Sequence, residues 1–304
     1  IMELKNILVT YLGNNLHDLF LRIPEQFFMD IEEVRLRIGK PIIINKKGQE
    51  YTLDSDGNLH KDISKGFVPL NRDIKKTVDL MSGYSLYAFE EEVKSGYLTL
   101  QGGHRVGITG KAVIENDVIT TVKNINSLNI RISHEALGCS DSVIEKIVFP
   151  EINHTMIFSP PACGKTTLLR DIIKNISNGI VDKFNGQTVG LVDERSEIAG
   201  CYMGIPQNDV GIRTDVLDGC PKSIGMKMIL RTMSPKVIAV DEIGRKEDVY
   251  AIDEIINAGI KLICTVHAKD FDDLVKRPVL KEILSRNIFT RFILLEYGMY
   301  LINN

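Results

Sequence analysis

The sequence predicts an α/β fold in two parts: a smaller α+β N-terminal domain over residues 1–135, then a domain over residues 136–304 built on a parallel sheet wound with helices. Three observations carry this reading. Between Glu33 and Arg131, apolar and polar residues alternate between turn residues, which is the period of half-buried strands. After Ser133 the pattern changes to short apolar runs separated by longer amphipathic segments, as in βα units. Several of those runs end in residues able to do chemistry, and ligands of parallel α/β sheets lie outside the carboxyl ends of the strands.

In the first domain, "EVRLRIGKPIIINKKGQEYTL", "GYLTLQGGHRVGITGKAVIENDVITTV" and "LNIRIS" are the strand-like stretches, with Val34, Leu36 and Ile38 marking one face. Gly39 and Pro41, Gly48, Gly102 and Gly103, and Asn116 and Asp117 mark turns. One helical stretch, around "NRDIKKTVDLMSG", interrupts the strands. Such a sheet leaves one face for water or a partner. The second domain opens with a helix-like "DSVIEKIVF" stopped at Pro150.

A chain of 304 residues is long enough for two ordinary domains, each with its own core. Its 44% hydrophobic and 25% charged residues are those of a soluble globular protein, and a net charge of -3 provides no global attraction for nucleic acid. No apolar run approaches the ~20 residues of a membrane span and no signal-peptide pattern opens the chain, so a cytosolic protein is expected, still free to dock on a membrane protein. Ile1, ahead of Met2, reads as a cloning remnant and is set aside. Cys139, Cys163, Cys201, Cys220 and Cys264 are odd in number and contain no CxxC pair, which points to reduced thiols rather than zinc ligands or disulfides.

The chemistry gathers at four strand ends. "HTMIF" runs into the loop Ser159, Pro160, Pro161, Ala162, Cys163, Gly164, Lys165, Thr166, Thr167; "TVGLV" runs into Asp193, Glu194 and Arg195; "KVIAV" into Asp241 and Glu242; and "KLICTV" into His267. The loop has the GK[ST] ending of a phosphate-binding loop, but Ser159 stands where the general pattern has its first glycine. Pro160 and Pro161 fix the backbone after it, so the change is tolerable unless Ser159 must adopt a positive φ. Leu168, Leu169, Ile172, Ile173 and Ile176 recur at helical spacing behind the loop, so free N–H groups of a helix start face it and supply an anion site. Lys165 would reach the β and γ phosphates of ATP, and the Thr166 hydroxyl and Asp241 would hold Mg²⁺. Either Glu242 or Glu194 could orient or deprotonate the attacking water, and His267 could sense the γ phosphate or polarise water. Arg195, Arg213, Arg231, Arg245, Arg105 and Arg131 are candidates for stabilising charge on the transferred group.

These residues also carry a resemblance. "LRTMSPKVIAVDEIGR", which contains Arg231, "CTVHA" and "LVDERSEI" resemble the acidic strand, histidine box and acidic box of the type II and type IV secretion ATPases and pilus retraction motors. "VRLRIGKPI" and "LNIRIS" look like strands of that family's N-terminal domain. Over most of the chain, "SGYSLYAFEEEVKSGYLTLQGGHRVGITGKAV", "SPPACGKTTLLRDI", "LVDERSEIAGCYMGIPQNDVGIRTDVLDGCPK" and "VIAVDEIGR" resemble the stage III sporulation AA family of endospore-forming bacteria. The resemblance implies a RecA-like P-loop ATPase domain and a cytosolic ring, a hexamer. It implies further that this ring sits on the mother-cell side of the outer forespore membrane and energises a secretion-like channel. Position 241 is Asp where the secretion motors usually carry Gly, and the type II tetracysteine motif is missing, so no zinc is expected.

Three functions remain open at this level: a hydrolysing motor, a nucleotide-binding switch that barely hydrolyses, and a nucleic-acid-stimulated ATPase. The last is suggested by Arg35, Arg37, Lys40, Lys46, Lys47 and "GGHRVG", although a solvated face and a turn explain them more simply.

Overall fold

Alternating burial makes an antiparallel sheet of β1 (Ile31–Arg37), β2 (Lys40–Lys46), β3 (Gln49–Leu53), β4 (Leu59–His60), β5 (Tyr97–Leu100), β6 (His104–Glu115) and β7 (Val118–Arg131). Their order is β4-β3-β2-β1-β7-β6-β5. The computed structural model describes residues 2–85, 93, 94, 96–134, 138–161, 163–296 and 299–303. The chain divides into two compact units, Ile1–His134 and Glu135–Asn304.

In the first unit Val34, Leu36, Ile42, Ile44, Val106 and Ile130 bury one face of the sheet in a single core with Ile74, Val78 and Met81 of the helix Asn71–Met81. Three helices that the sequence pattern does not announce, Met2–Thr10, Asn14–Leu21 and Glu25–Phe28, add Leu8, Leu16, Phe20 and Phe28 to that core. Each is too short for a helical period to stand out in an 11–18-residue window. Part of the basic stretch is compensated locally: Arg35 pairs with Glu33, and Lys46 and Lys47 reach Asp30 at 3.3 and 2.9 Å.

The second unit is built on β8 (Thr155–Ser159), β11 (Val189–Asp193), β12 (Thr214–Asp218), β13 (Val237–Val240), β14 (Lys261–His267), β15 (Arg291–Glu296) and β16 (Met299–Asn303); β9 (Gly179–Ile180) and β10 (Phe184–Asn185) form a separate ribbon. The sheet order is β12-β11-β13-β14-β8-β15-β16, parallel throughout except for β16. Both faces are buried. Ile157, Leu191, Ala239, Ile263 and Ile293 pack with Leu168, Leu169, Ile172, Ile173 and Ile176 of the helix Lys165–Asn178. Phe158, Val192, Ile238, Val240 and Cys264 face the other way, into a core shared with the helices Lys222–Thr232, Lys246–Asn257 and Pro278–Ser285. The helix before Pro150 is only Ile144–Val148, because Phe149 takes the extended backbone favoured ahead of proline.

Two glycines set the closest helix approach. A Cβ on Gly190 of β11 would collide with Ile229, and one on Gly225 would lie 2.5 Å from Val192. Beyond β11 the chain is organised by Asp193, which is 1% exposed. Its carboxylate accepts from the backbone N–H groups of Glu197 (3.0 Å), Ile198 (3.0 Å) and Ala199 (2.8 Å). Burial outweighs those donors and raises the Asp193 pKa to about 6.

Two outcomes are expected. Gly190→Ala, by overpacking, lowers unfolding free energy by roughly 1–3 kcal/mol in urea melts, whereas Gly244→Ala, whose Cβ meets nothing within 4 Å, changes it by less than about 0.5 kcal/mol. Native Asp193 holds its proton more tightly than the unfolded chain, so its stabilising contribution is complete below about pH 4 and fades as pH rises through about 6. Measured against Asp193→Asn, wild-type stability therefore declines by on the order of 2 kcal/mol from pH 4 to pH 7; a flat difference would show that the carboxyl titrates alike in both states.

Candidate functional site

The sheet order explains why the four strand ends named by the sequence form one place: β11, β13, β14 and β8 are consecutive neighbours. Register puts His267 of β14 opposite Ser159 of β8, and the Ala268 N–H donates to the Ser159 carbonyl at 3.2 Å.

Ser159 ends β8 in the extended strand and is fully buried; it is not among the residues with positive φ, so the glycine missing from the loop pattern has no backbone role at this position. The left-handed conformation falls on Gly164, at φ 90 and ψ 17, where the helix Lys165–Asn178 starts without a side-chain cap. Its first N–H groups have no intrahelical acceptor, which leaves them and the positive dipole end facing the loop. Pro160 and Pro161 form the turn out of β8, and the Pro161 carbonyl accepts from Cys163 Sγ at 3.6 Å. Ala162 lies outside the described residues. Thr167 sits in the first helical turn, and its carbonyl accepts from Cys139 Sγ at 3.7 Å.

Lys165 is 5% exposed, and its hydrogen-bond partners are neutral: Nζ donates to the Ser159 carbonyl (3.2 Å), Ser159 Oγ (3.1 Å) and the Pro160 carbonyl (3.1 Å), and lies 3.0 Å from His267 Nδ1. Burial draws its pKa below the ordinary lysine range, against the pull of Asp241 and Glu242. A largely buried ammonium held by carbonyls beside a helix start is a place made for an anion.

His267 continues the line. Because an ammonium only donates, Nδ1 presents its lone pair to Lys165, and Nε2–H donates to Glu242 Oε1 at 2.6 Å. Glu242 Oε2 meets Arg195 at 3.2 Å. The Thr166 hydroxyl donates to Asp241 Oδ2 at 3.2 Å, so a hydroxyl and a carboxylate, hard oxygen donors suited to Mg²⁺, lie side by side at the loop. Among the described residues no three His, Cys, Asp or Glu side chains cluster as a self-sufficient metal site.

The second glutamate is engaged differently. Glu194 pairs with the buried Lys222 and, at 3.3 Å, with Arg245. The two acidic turns thus exchange arginines: Arg195, next to Glu194, serves Glu242, while Arg245, three residues past Glu242, serves Glu194. Asp193 belongs to loop architecture and not to the cluster.

Arg231 does not reach the loop of its own chain. It lies in the last turn of the helix Lys222–Thr232, which returns from the carboxyl edge of the sheet to the start of β13, and pairs with Glu254 at 3.6 Å. Arg213 binds the Ser177 carbonyl at 2.9 Å. Arg105 stacks over Tyr97 in the first unit, and Arg131 ends β7. What the sequence reading missed is Thr265, a fully buried hydroxyl on β14 that touches both residues of the Asp241–Glu242 turn. Its only signal was a polar residue in an apolar strand two places before His267, hence on the same face.

Comparison with known proteins agrees with this architecture. The chain is 40% identical over 288 residues to stage III sporulation protein AA of Bacillus subtilis (strain 168), covering 95% of this chain and 90% of that one. Among solved structures it resembles the Legionella pneumophila ATPase DotB, with TM-score 0.57 and 17% identity over 88% of this chain and 72% of that one. It also resembles the pilus retraction motor PilT with bound ADP, with TM-score 0.56 and 14% identity over 90% and 78% of the two chains. The fold is thus shared with these two structures: a parallel α/β domain preceded by an antiparallel sheet domain. The family described as sporulation stage III, protein AA matches residues 2–299, and the chain belongs to it.

Proposed function

We propose that this chain is an ATP-hydrolysing motor of the secretion-ATPase type. The observation that carries the reading is Lys165, a largely buried cation with neutral partners at the start of an uncapped helix, placed within one cluster with Thr166, Asp241, His267 and Glu242. In this reading Lys165 and the N–H groups of the helix start bind the phosphates of ATP. Thr166 and Asp241 would hold Mg²⁺, which when bound neutralises charge on the phosphate oxygens. Glu242 orients the attacking water and accepts its proton. His267, donating from Nε2, aims that carboxylate and links it to Lys165. Glu242 is favoured over Glu194 because Glu194 is clasped by the buried Lys222 as well as by Arg245, whereas Glu242 has an imidazole in place of that buried ammonium beside its own arginine, Arg195.

By family membership and by resemblance to secretion motors, the protein would work as a ring, a hexamer. It would sit at the mother-cell face of the outer forespore membrane and energise a channel complex between the two cells during endospore formation. No helix among the described residues is long and apolar enough to cross a membrane, so attachment would run through membrane proteins of that channel. One observation favours a second reading, a nucleotide-operated switch: Lys165 and both oxygens of Glu242 are already engaged within the chain, and nucleotide could act chiefly by breaking those contacts.

Purified wild type is expected to release phosphate from ATP in the presence of Mg²⁺, and Lys165→Ala to abolish it; turnover by that variant at the wild-type rate removes the assignment. ATP binding without phosphate release, even with the membrane partners reconstituted, selects the switch. Glu242→Gln is expected to lower kcat by roughly 10²- to 10⁴-fold with ATP affinity retained, and Glu194→Gln by less than about tenfold. The reverse order in steady-state assays would make Glu194 the base.

A further inference from the structure

Resting on the ATPase reading above, we propose that Thr265 is a positioning residue for hydrolysis: its hydroxyl sets the backbone of the Asp241–Glu242 turn and thereby the aim of both carboxylates. The last pair between β13 and β14 is Val240 with Cys264. β14 continues to His267 while β13 stops, so the residues after Val240 turn away without a ladder partner. Thr265 replaces the missing ladder. Its Oγ1 accepts from the Glu242 N–H at 2.9 Å and donates to Asp241 Oδ1, and its carbonyl accepts from the Ile243 N–H at 3.0 Å.

The turn needs such a hold because Glu242 sits at φ 48, in the left-handed region that residues with a Cβ rarely occupy. Asp241 Oδ1 also accepts from the Glu242 N–H, at 3.0 Å, so one hydroxyl and one N–H fix this oxygen and leave Oδ2 directed at Thr166 Oγ1. The same left-handed step carries the Glu242 side chain toward His267. A hydroxyl oxygen accepts from an N–H and donates to a carboxylate through a single atom. Valine has nearly the same shape and can do neither, so the substitution separates the hydrogen bonds from the packing.

The test compares wild type, Thr265→Val and Thr265→Ser in full-length protein whose fold is checked by circular dichroism. It has two readouts: steady-state ATP hydrolysis, and the Mg²⁺ concentration needed for half-maximal binding of a fluorescent ATP analogue. Thr265→Val is expected to lose at least about tenfold in kcat with KM for ATP changed by less than about threefold, and to need several-fold more Mg²⁺ for binding. Thr265→Ser is expected to recover most of both. Wild-type kcat and Mg²⁺ response in Thr265→Val, while Lys165→Ala is inactive, overturns the proposal and leaves the ATPase reading intact. Equal losses in the Val and Ser variants overturn it in favour of methyl packing. If wild type does not hydrolyse ATP, the ATPase reading fails and the Mg²⁺ titration decides: a shift in Thr265→Val that Thr265→Ser reverses retains the role of Thr265 in aiming Asp241, and no shift ends it. Should Thr265→Val not fold, Thr265→Ala against Thr265→Ser isolates the same oxygen.

Discussion

Burial of the central sheet on both faces is the constraint from which the rest follows. β8, β11, β13 and β14 are lined on one side by Ile157, Leu191, Ala239 and Ile263 and on the other by Phe158, Val192, Val240 and Cys264, all of them inaccessible or nearly so. An unpaired charge has no place in such an interior, because leaving water without a partner costs several kcal/mol. Charged side chains are therefore displaced to the strand ends. The parallel order then decides that the ends of β11, β13, β14 and β8 emerge side by side, with the start of the helix Lys165–Asn178 beside them.

Three of the polar groups buried at these strand ends have specific partners. Thr265 is spent on the Asp241–Glu242 turn, Ser159 on Lys165 and the Pro160 carbonyl, and Asp193 on three backbone N–H groups. At the rim the charges alternate, from Lys165 through His267 to Glu242 and Arg195, and separately from Arg245 through Glu194 to Lys222. The two neighbouring acidic turns exchange arginines, and under the proposed function a ligand that claims Lys165 would disturb a line reaching to Glu242. That coupling is common ground between the motor and switch readings.

The loop illustrates how local backbone requirements are distributed. In the general motif a glycine opens the loop, yet here the only left-handed residue described between Ser159 and Lys165 is Gly164. Ser159 stays in the strand, where its hydroxyl accepts from Lys165 Nζ, a contact that a glycine lacks the side chain to make. In the first unit, too, three of the basic residues that suggested a nucleic-acid face, Arg35, Lys46 and Lys47, pair with their own acidic neighbours, Glu33 and Asp30, a relation that no count of charges reveals.

The sequence alone determined what depends on neighbours along the chain: the alternation of β1, the apolar runs of β8 and β13, the helical spacing from Leu168 to Ile176, and the loop that joins Ser159 to Lys165. Side-chain period and turn chemistry are local properties, so they can be read without knowing the fold. Helices as short as Asn14–Leu21 escaped because their burial is a tertiary matter. Only the tertiary structure decided which arginine serves which glutamate, that Arg231 closes a helix at the far edge of the sheet, and that Thr265 pins the acidic turn. Those pairings join residues that are 23 to 51 positions apart, and they exist only once strand order and register have set β11, β13 and β14 side by side.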